Sequence, residues 1–246
     1  MIGTGSRVTP SMIDRLAARS AGMSLADLSA VLEQAARLAV RKNSQLSDED
    51  LDEAYERTRH GSEKNWGQTY MERIAYHESG HALISCLSGR TPSYVTIIAR
   101  GSHGGYMEHA DTENTPLRTR EELLGRIRIA LGGRAAEITR YGEKEGISTG
   151  ASGDLANATR LAGALLMQYG MDEDFGLAAF SPDAMIKGPM AQIVPTRINA
   201  ILQEQLTWAV DRLTAHRGQL DLLAGTLLSK NKITGEEIDA LLGSKS

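Results

Sequence analysis

Residues 77–81 read His-Glu-Ser-Gly-His. In a helix, positions four apart share a face, so His77 and His81 present two imidazoles to one cation. Glu78, one residue on, is placed to take a proton from a water that such a cation activates. This is the chemistry of a helical H-E-x-x-H zinc site. Two histidines do not complete it, because a catalytic zinc usually has three protein ligands and one open position. Cys86 is the only cysteine, so thiolates cannot form the cage. The third donor must be His, Asp or Glu.

The remaining histidines are weak candidates. His103 and His109 fall on an expected hairpin, while His60 and His216 lie near expected helix ends or linkers; lone histidines are more often ordinary surface or core residues. Among carboxylates, Asp154 stands in Ser148-Thr-Gly-Ala-Ser-Gly-Asp154-Leu, at the first turn of an expected helix. There the backbone dipole favours the ionised form that also binds metal. Its plainer role is to stabilise that helix N-terminus. Glu137, in Gly132-Gly-Arg-Ala-Ala-Glu137, is the other candidate, with a solvated or supporting helix position as its plainer role. Side-chain chemistry favours Asp154 over Glu137 by about two to one and leaves both open. Two imidazoles and a carboxylate also suit Fe²⁺, but the helical spacing favours zinc.

Several elements must position these groups. The motif helix is expected from about Tyr70 to Leu87, ended by Gly89 and Pro92. Gly80 inside it costs about 1 kcal/mol relative to Ala, which points to close approach by another backbone or a ligand. Tyr94–Ala99 is rich in β-branched residues and reads as a strand, with Gly104–His109 as its hairpin partner. Thr119 and Glu122 form a capping box for a helix to about Arg140; Gly125, Gly132 and Gly133 within it again suggest close packing. A loop from Tyr141 to Ser152 leads to a helix from Gly153 to about Tyr169. After a Gly/Pro-rich stretch to Pro189, a helical pattern fills Thr196–Leu228, broken at Gly218. Thr234 and Glu237 cap a last short helix.

Ahead of the motif, Thr9-Pro10 starts a helix to about Arg19. Ser24 caps a second, with Leu25, Leu28, Leu32, Ala35, Ala36 and Leu38 at helical spacing. Ser47 with Asp50 opens a third, to about Thr58. Three helices in so short a stretch predict a compact bundle and a domain boundary near Gly61, giving domains 7–60 and 61–246.

Composition narrows the function classes. Aromatics are only 4% of the 246 residues while Leu and Ala abound, which predicts an aliphatic, mainly α (α+β) fold with a small sheet. The net charge of −4, without a basic stripe and interleaved aromatics, argues against nucleic acid as a partner. A single cysteine suits a reducing compartment. No apolar run approaches the roughly 18–20 residues needed to span a bilayer, and no signal peptide opens the chain. The expectation is a soluble, cytoplasmic polypeptide.

At this point the segments, taken in order, resemble the FtsH-type, AAA-linked, ATP-dependent zinc metalloproteases, from about Val8 to Leu242. His77–His81 is similar to that family's H-E-A-G-H, with Ser79 in place of Ala. Val95-Thr-Ile-Ile98 with Arg100-Gly101 resembles the strand that follows. Gly132–Glu137 and Ser148–Leu155 resemble two further signatures, with Gly153 in place of Asn. The resemblance implies that His77, His81 and Asp154 ligate one Zn²⁺, that Glu78 is the general base, and that Glu137 has a neighbouring role. It also implies that the first three helices are an AAA lid, although Leu25 stands where the family commonly has Gly. No Gly-x-x-x-x-Gly-Lys-Ser/Thr loop occurs in these residues, nor a Walker B strand, so ATP is expected to act only through an ATPase core elsewhere. The implied partners are unfolded protein substrates, that AAA module and further copies in a hexameric ring; the parent protein would be membrane-anchored with this part facing the cytoplasm.

The activity so implied is endoproteolysis of unfolded or damaged proteins. An edge of the Tyr94–Ala99 strand is expected to pair with extended substrate. The competing class is a non-catalytic ring-assembly module; Glu78 argues against it, because metal binding alone does not require that residue. A small AAA adaptor fails on proportion, since most of the chain lies beyond the lid.

Overall fold

A computed structural model describes residues 8–20, 22–64, 67–100, 104–109, 117–180 and 190–243. Its described residues divide into two compact units. One holds residues up to 64 with 98–100 and 104; the other holds 67–97, 105–109 and the residues from 117 on. The fold is mainly helical with small antiparallel sheets, as composition and periodicity suggest.

In the first unit, α1 (Pro10–Arg19), α2 (Leu25–Arg41) and α3 (Asp48–His60) start at Thr9, Ser24 and Ser47, each a capping box with both reciprocal bonds formed. These caps satisfy main-chain donors that a helix start leaves without partners. Their core is Met12, Val31, Ala35, Leu51, Ala54 and Tyr55. The expected stripe on α2 holds in part, since Ala35 is buried and Leu38 packs on this core, but not at Leu25 and Leu32. Leu25 is 83% exposed and Leu32 is exposed too, while Val31, Ala35 and Ala39 are buried. The inward face, with Val31, Ala35 and Ala39 buried and Leu38 packed beside them, overlaps the expected stripe at Ala35 and Leu38 and is turned from it at the helix start. Two-residue strands β1 (Glu63–Lys64) and β3 (Ala99–Arg100) pair antiparallel in this unit.

The second unit is built on α4 (Gln68–Leu87), whose residues Ala75–Ser85 are all buried. It packs against α5 (Arg120–Gly146), α7 (Met190–Ala215) and α8 (Arg217–Lys230). A helix enclosed on several sides needs no single apolar stripe, and this one carries its polar motif in the interior. One core joins α4, α5, α7 and α8 to the sheet and to α9 (Gly235–Leu242), through Leu83, Ile84, Val95, Leu213, Leu223, Leu227 and Ile233. A second joins α5, α6 (Ser152–Met167) and α7 through Ile127, Leu131, Leu165, Leu166 and Ile198.

The expected strand Tyr94–Ala99 is two pieces. β2 (Tyr94–Thr96) pairs with β4 (Tyr106–Glu108), as the hairpin reading anticipates, and with β5 (Lys232–Thr234) on its other side. The order β4-β2-β5 makes β2 central, so it has no edge for a substrate to join. β5 is three residues from a distant part of the chain, too short for a periodic signal.

Helix ends also moved. The expected loop after Tyr141 is instead a turn at Gly142 (φ 81°, ψ 167°), after which the chain coils again to Gly146. A 3₁₀ turn, Thr149–Ala151, precedes α6. α7 starts before Thr196 and contains Pro195 in its second turn, where one main-chain donor is forfeited. The break before α8 falls at His216, not at Gly218. Among the described residues, no helix is long and apolar enough to cross a membrane.

Candidate metal centre

Helices α4, α5 and α6 bring the site together. α4 and α5 cross where both lack side chains. A Cβ on Gly80 would lie against the Gly132 carbonyl oxygen and 2.5 Å from Ala136 Cβ; one on Gly132 would lie 2.8 Å from the Gly80 carbonyl oxygen. The helix-weakening Gly80 is therefore a contact requirement, as its cost suggests. Gly125 is not, since nothing lies within 4 Å of its Cβ position.

Along α5, residues 129, 133 and 137 form one stripe at four-residue spacing, and all three serve the histidines. A Cβ on Gly133 would fall 2.5 Å from His77 Cε1 and 2.6 Å from Cδ2, so only glycine leaves room for that ring. His77 Nδ1–H donates to Glu137 Oε1 at 3.0 Å. His81 Nδ1–H donates to the Ile129 carbonyl at 2.7 Å. With both Nδ1 atoms facing acceptors, each neutral ring presents its Nε2 lone pair.

Those lone pairs converge. His77 Nε2 lies 3.1 Å from His81 Nε2 and 3.1 Å from Asp154 Oδ2, and His81 Nε2 lies 3.4 Å from Asp154 Oδ2. Among the described residues, His77, His81 and Asp154 are the one group of three or more such donors that could hold a metal ion. Four ligands at about 2.0–2.1 Å in a tetrahedron are separated by about 3.3 Å, so these donors fit the ion that the motif implies. Two imidazole lone pairs this close repel unless a cation or proton lies between them.

Electrostatics agree. Burial pushes His77 towards the neutral form, but hydrogen bonds to Asp154 and Glu137 outweigh it and raise its pKa to about 10. Burial likewise opposes ionised Asp154, yet the bonds from His77 and His81 hold it well below the usual carboxylate range. Glu137 is also lowered: His77 and Ser148 overcome its burial. The site thus places two carboxylates around the His77 ring.

Asp154 lies in the first turn of α6, its side chain 34% exposed, as the sequence suggests. Glu137, the rival candidate, is buried and meets the far nitrogen of His77, not the convergence point. Glu78 is buried beside His77, and Gly105, leading into β4, lies so close that a Cβ there would be 2.7 Å from Glu78 Cγ. Ser79, at the position where the resembled pattern has Ala, is fully buried, and its hydroxyl has no hydrogen-bond partner among the described residues. The other histidines stand elsewhere: His109 meets Ser85, His216 bonds the Arg212 carbonyl, and His60 ends α3. His103 lies outside the described residues, as does Gly101.

Sequence reasoning anticipated close packing at Gly133 but not that the His77 ring fills the space, and it missed the roles of Ser148 and the Ile129 carbonyl. Gly133 could be tied to the site as the i−4 neighbour of Glu137; a backbone carbonyl carries no residue signal at all. Ser148 donates from its hydroxyl to Glu137 Oε1 at 2.8 Å and from its N–H to Oε2 at 3.2 Å.

Comparison with known proteins agrees with the geometry. The chain is 36% identical over 239 residues to the ATP-dependent zinc metalloprotease FtsH 3 of Sphaerobacter thermophilus, covering 95% of this chain and 48% of that protein. It is 36% identical to FtsH 2 of the same organism (94% of this chain, 36% of that one). Against the ATP-dependent zinc metalloprotease FtsH of Ralstonia pickettii the identity is 34%, over 95% of this chain and 35% of that protein. The chain thus spans about half or less of the length of these relatives. Residues 67–241, which carry every donor described above, match the model of peptidase family M41, and the chain belongs to that family.

Proposed function

We propose that this chain is the peptidase part of an ATP-dependent zinc protease, hydrolysing peptide bonds of unfolded proteins. His77, His81 and Asp154 hold one Zn²⁺, and Glu78 is the general base. The observation that carries this reading is the triangle of His77 Nε2, His81 Nε2 and Asp154 Oδ2 at 3.1–3.4 Å, with both Nδ1 protons engaged elsewhere. When bound, zinc would lower the pKa of a water and polarise the scissile carbonyl. Glu78 takes the proton of the attacking water and delivers it to the leaving amine. Glu137 and the Ile129 carbonyl keep both rings in the tautomer that ligates. Because an imidazole must give up its Nε2 proton to ligate, metal loading weakens as pH falls.

The M41 match begins at residue 67, whereas the relatives align over nearly the whole chain. That difference supports reading 7–60 as the lid of an AAA ATPase and 61–246 as the peptidase domain. In that reading the parent protein is a membrane-anchored homo-hexamer, this part lies on its cytoplasmic side, and ATP acts through the AAA module.

The test compares wild type with Glu78→Gln for bound zinc and hydrolysis of casein, which is unfolded and needs no motor. Near-stoichiometric zinc is expected in both, with hydrolysis reduced by about 10²–10⁴ in the variant. Equal hydrolysis would overturn the role of Glu78. For the third ligand, zinc retention should collapse in Asp154→Asn and only weaken in Glu137→Gln; the reverse would reassign it.

A further inference from the structure

We infer that Ser148 is a positioning residue of the metal centre, coupling the orientation of His77 to the placement of the helix that carries Asp154. The inference rests on the zinc-site reading above. Ser148 makes four hydrogen bonds that join three parts of the unit. Its hydroxyl and its N–H both donate to Glu137, which in turn accepts from His77 Nδ1. Its hydroxyl oxygen accepts from the Gly150 N–H at 3.2 Å, capping the 3₁₀ turn that leads into α6. Its carbonyl accepts from Arg134 Nη2 at 3.0 Å, one turn before Glu137 on α5. One side chain thus stands between the first histidine and the start of the segment that delivers the carboxylate six residues later.

The chain around Ser148 is built to put it there. After the turn at Gly142 the backbone folds back onto α5 so closely that a Cβ on Gly146 would lie 2.6 Å from the Glu137 carbonyl oxygen. Arg73, one turn before His77 on α4, donates to the Gly146 and Glu145 carbonyls at 2.9 and 3.1 Å. The return segment is therefore tied to the motif helix as well as to α5, and Ser148 is the residue at which it meets Glu137. With Oε1 held by the Ser148 hydroxyl and Oε2 by its N–H, the carboxylate is kept against His77 and the ring plane and tautomer stay set. The same hydroxyl fixes the entry to α6.

The experiment measures zinc affinity by chelator competition, and the visible spectrum of the Co²⁺-substituted protein, for wild type, Ser148→Ala, Ser148→Thr, Glu137→Gln and Ser148→Ala/Glu137→Gln. Ser148→Ala should weaken zinc about tenfold and change the Co²⁺ spectrum, an outer-shell effect at the low end of the usual range. Ser148→Thr should restore both, since the extended backbone there (φ −117°, ψ 169°) accepts a β-branched residue with the hydroxyl retained. In the Glu137→Gln background, Ser148→Ala should add little. Unchanged affinity and spectrum in Ser148→Ala overturn the inference, and so does an undiminished tenfold loss in the double variant, which would mean that Ser148 does not act through Glu137. If Ser148→Ala does not fold, Ser148→Thr decides: wild-type affinity and spectrum are expected, and their loss counts against the hydroxyl's role. A wild type that holds no zinc would instead sink the metal-centre reading itself.

Discussion

The crossing of α4 and α5 and the bundle of α1–α3 are both helix on helix, yet they are held in different ways. At the crossing, specificity comes from absent atoms: Gly80 and Gly132 let two backbones touch, and Gly133 leaves the volume that the His77 ring fills. In the bundle, a small core of Val, Ala, Leu and Tyr is latched by charge. Arg15 pairs with Asp48 and Asp52, Arg19 with Asp52 and Glu56, and Lys42 with the buried carboxylate of Asp50. Arg19 also lies over the Tyr55 ring, 4.1 Å from its centroid. Close packing tolerates no added methyl, whereas partly solvated ion pairs bend and are screened. The contrast is that between a surface that must hold donors to fractions of an ångström and one that only has to hold together.

This contrast can be broken by substitution. The largest effect is expected for Gly80→Ala. Ala has the better helix propensity by about 1 kcal/mol, yet the new methyl meets main-chain atoms that cannot step aside, and overpacking costs about 1–3 kcal/mol or more. A net loss of roughly 2 kcal/mol is expected in urea unfolding; a more stable variant would show that the crossing is loose. Gly133→Ala meets a side chain instead, so its cost should appear in function. Zinc affinity should fall about 100-fold, equal to about 2.7 kcal/mol, with a far smaller change in metal-free stability; retained affinity would mean that the His77 ring has another place to go.

In the bundle the expected changes shrink. The Asp50 carboxyl is held below the ordinary range, chiefly by the hydrogen bond from Lys42, helped by the Ser47 cap and opposed by burial. A lowered folded pKa means that this stabilisation is present above the unfolded pKa of about 3.9 and is lost as pH falls through the folded value. Acid unfolding followed by circular dichroism should therefore lose part of its pH dependence in Asp50→Asn. The neutral-pH cost should be about 1 kcal/mol, that of an impaired cap. No difference in the acid limb would remove the latch. Leu25→Ala marks the floor: at 83% exposure it should change stability by no more than about 0.5 kcal/mol. A larger loss would mean that the exposed stripe of α2 is covered after all.

What could be read in advance differs between the two regions. All three bundle helices announce their starts, because a capping box is local and depends on side chains three residues apart. Which face of α2 turns inward follows only in part: Ala35 and Leu38 were legible, but apolar residues of the same period at Leu25 and Leu32 stay exposed while Val31 is buried. In the second unit the hairpin of β2 and β4 was legible from β-branched residues and glycine. The pairing of β2 with β5 was not, because it joins residues more than a hundred positions apart through a strand of three.

The candidate site divides in the same way. The sequence by itself determined the two imidazoles on one helical face, the Glu78 carboxylate next to His77 in the chain, and a glycine-weakened helix in need of a neighbour. Periodicity and side-chain chemistry suffice for these. It also narrowed the third donor to Asp154 or Glu137 with a preference of about two to one for Asp154, and the family resemblance pointed to Asp154. Only the tertiary structure decided which carboxylate reaches the Nε2 side of His77 and which holds its Nδ1. That choice depends on where α5 and α6 pass α4, and on the fold-back at Gly142–Ser148, which no local spacing encodes.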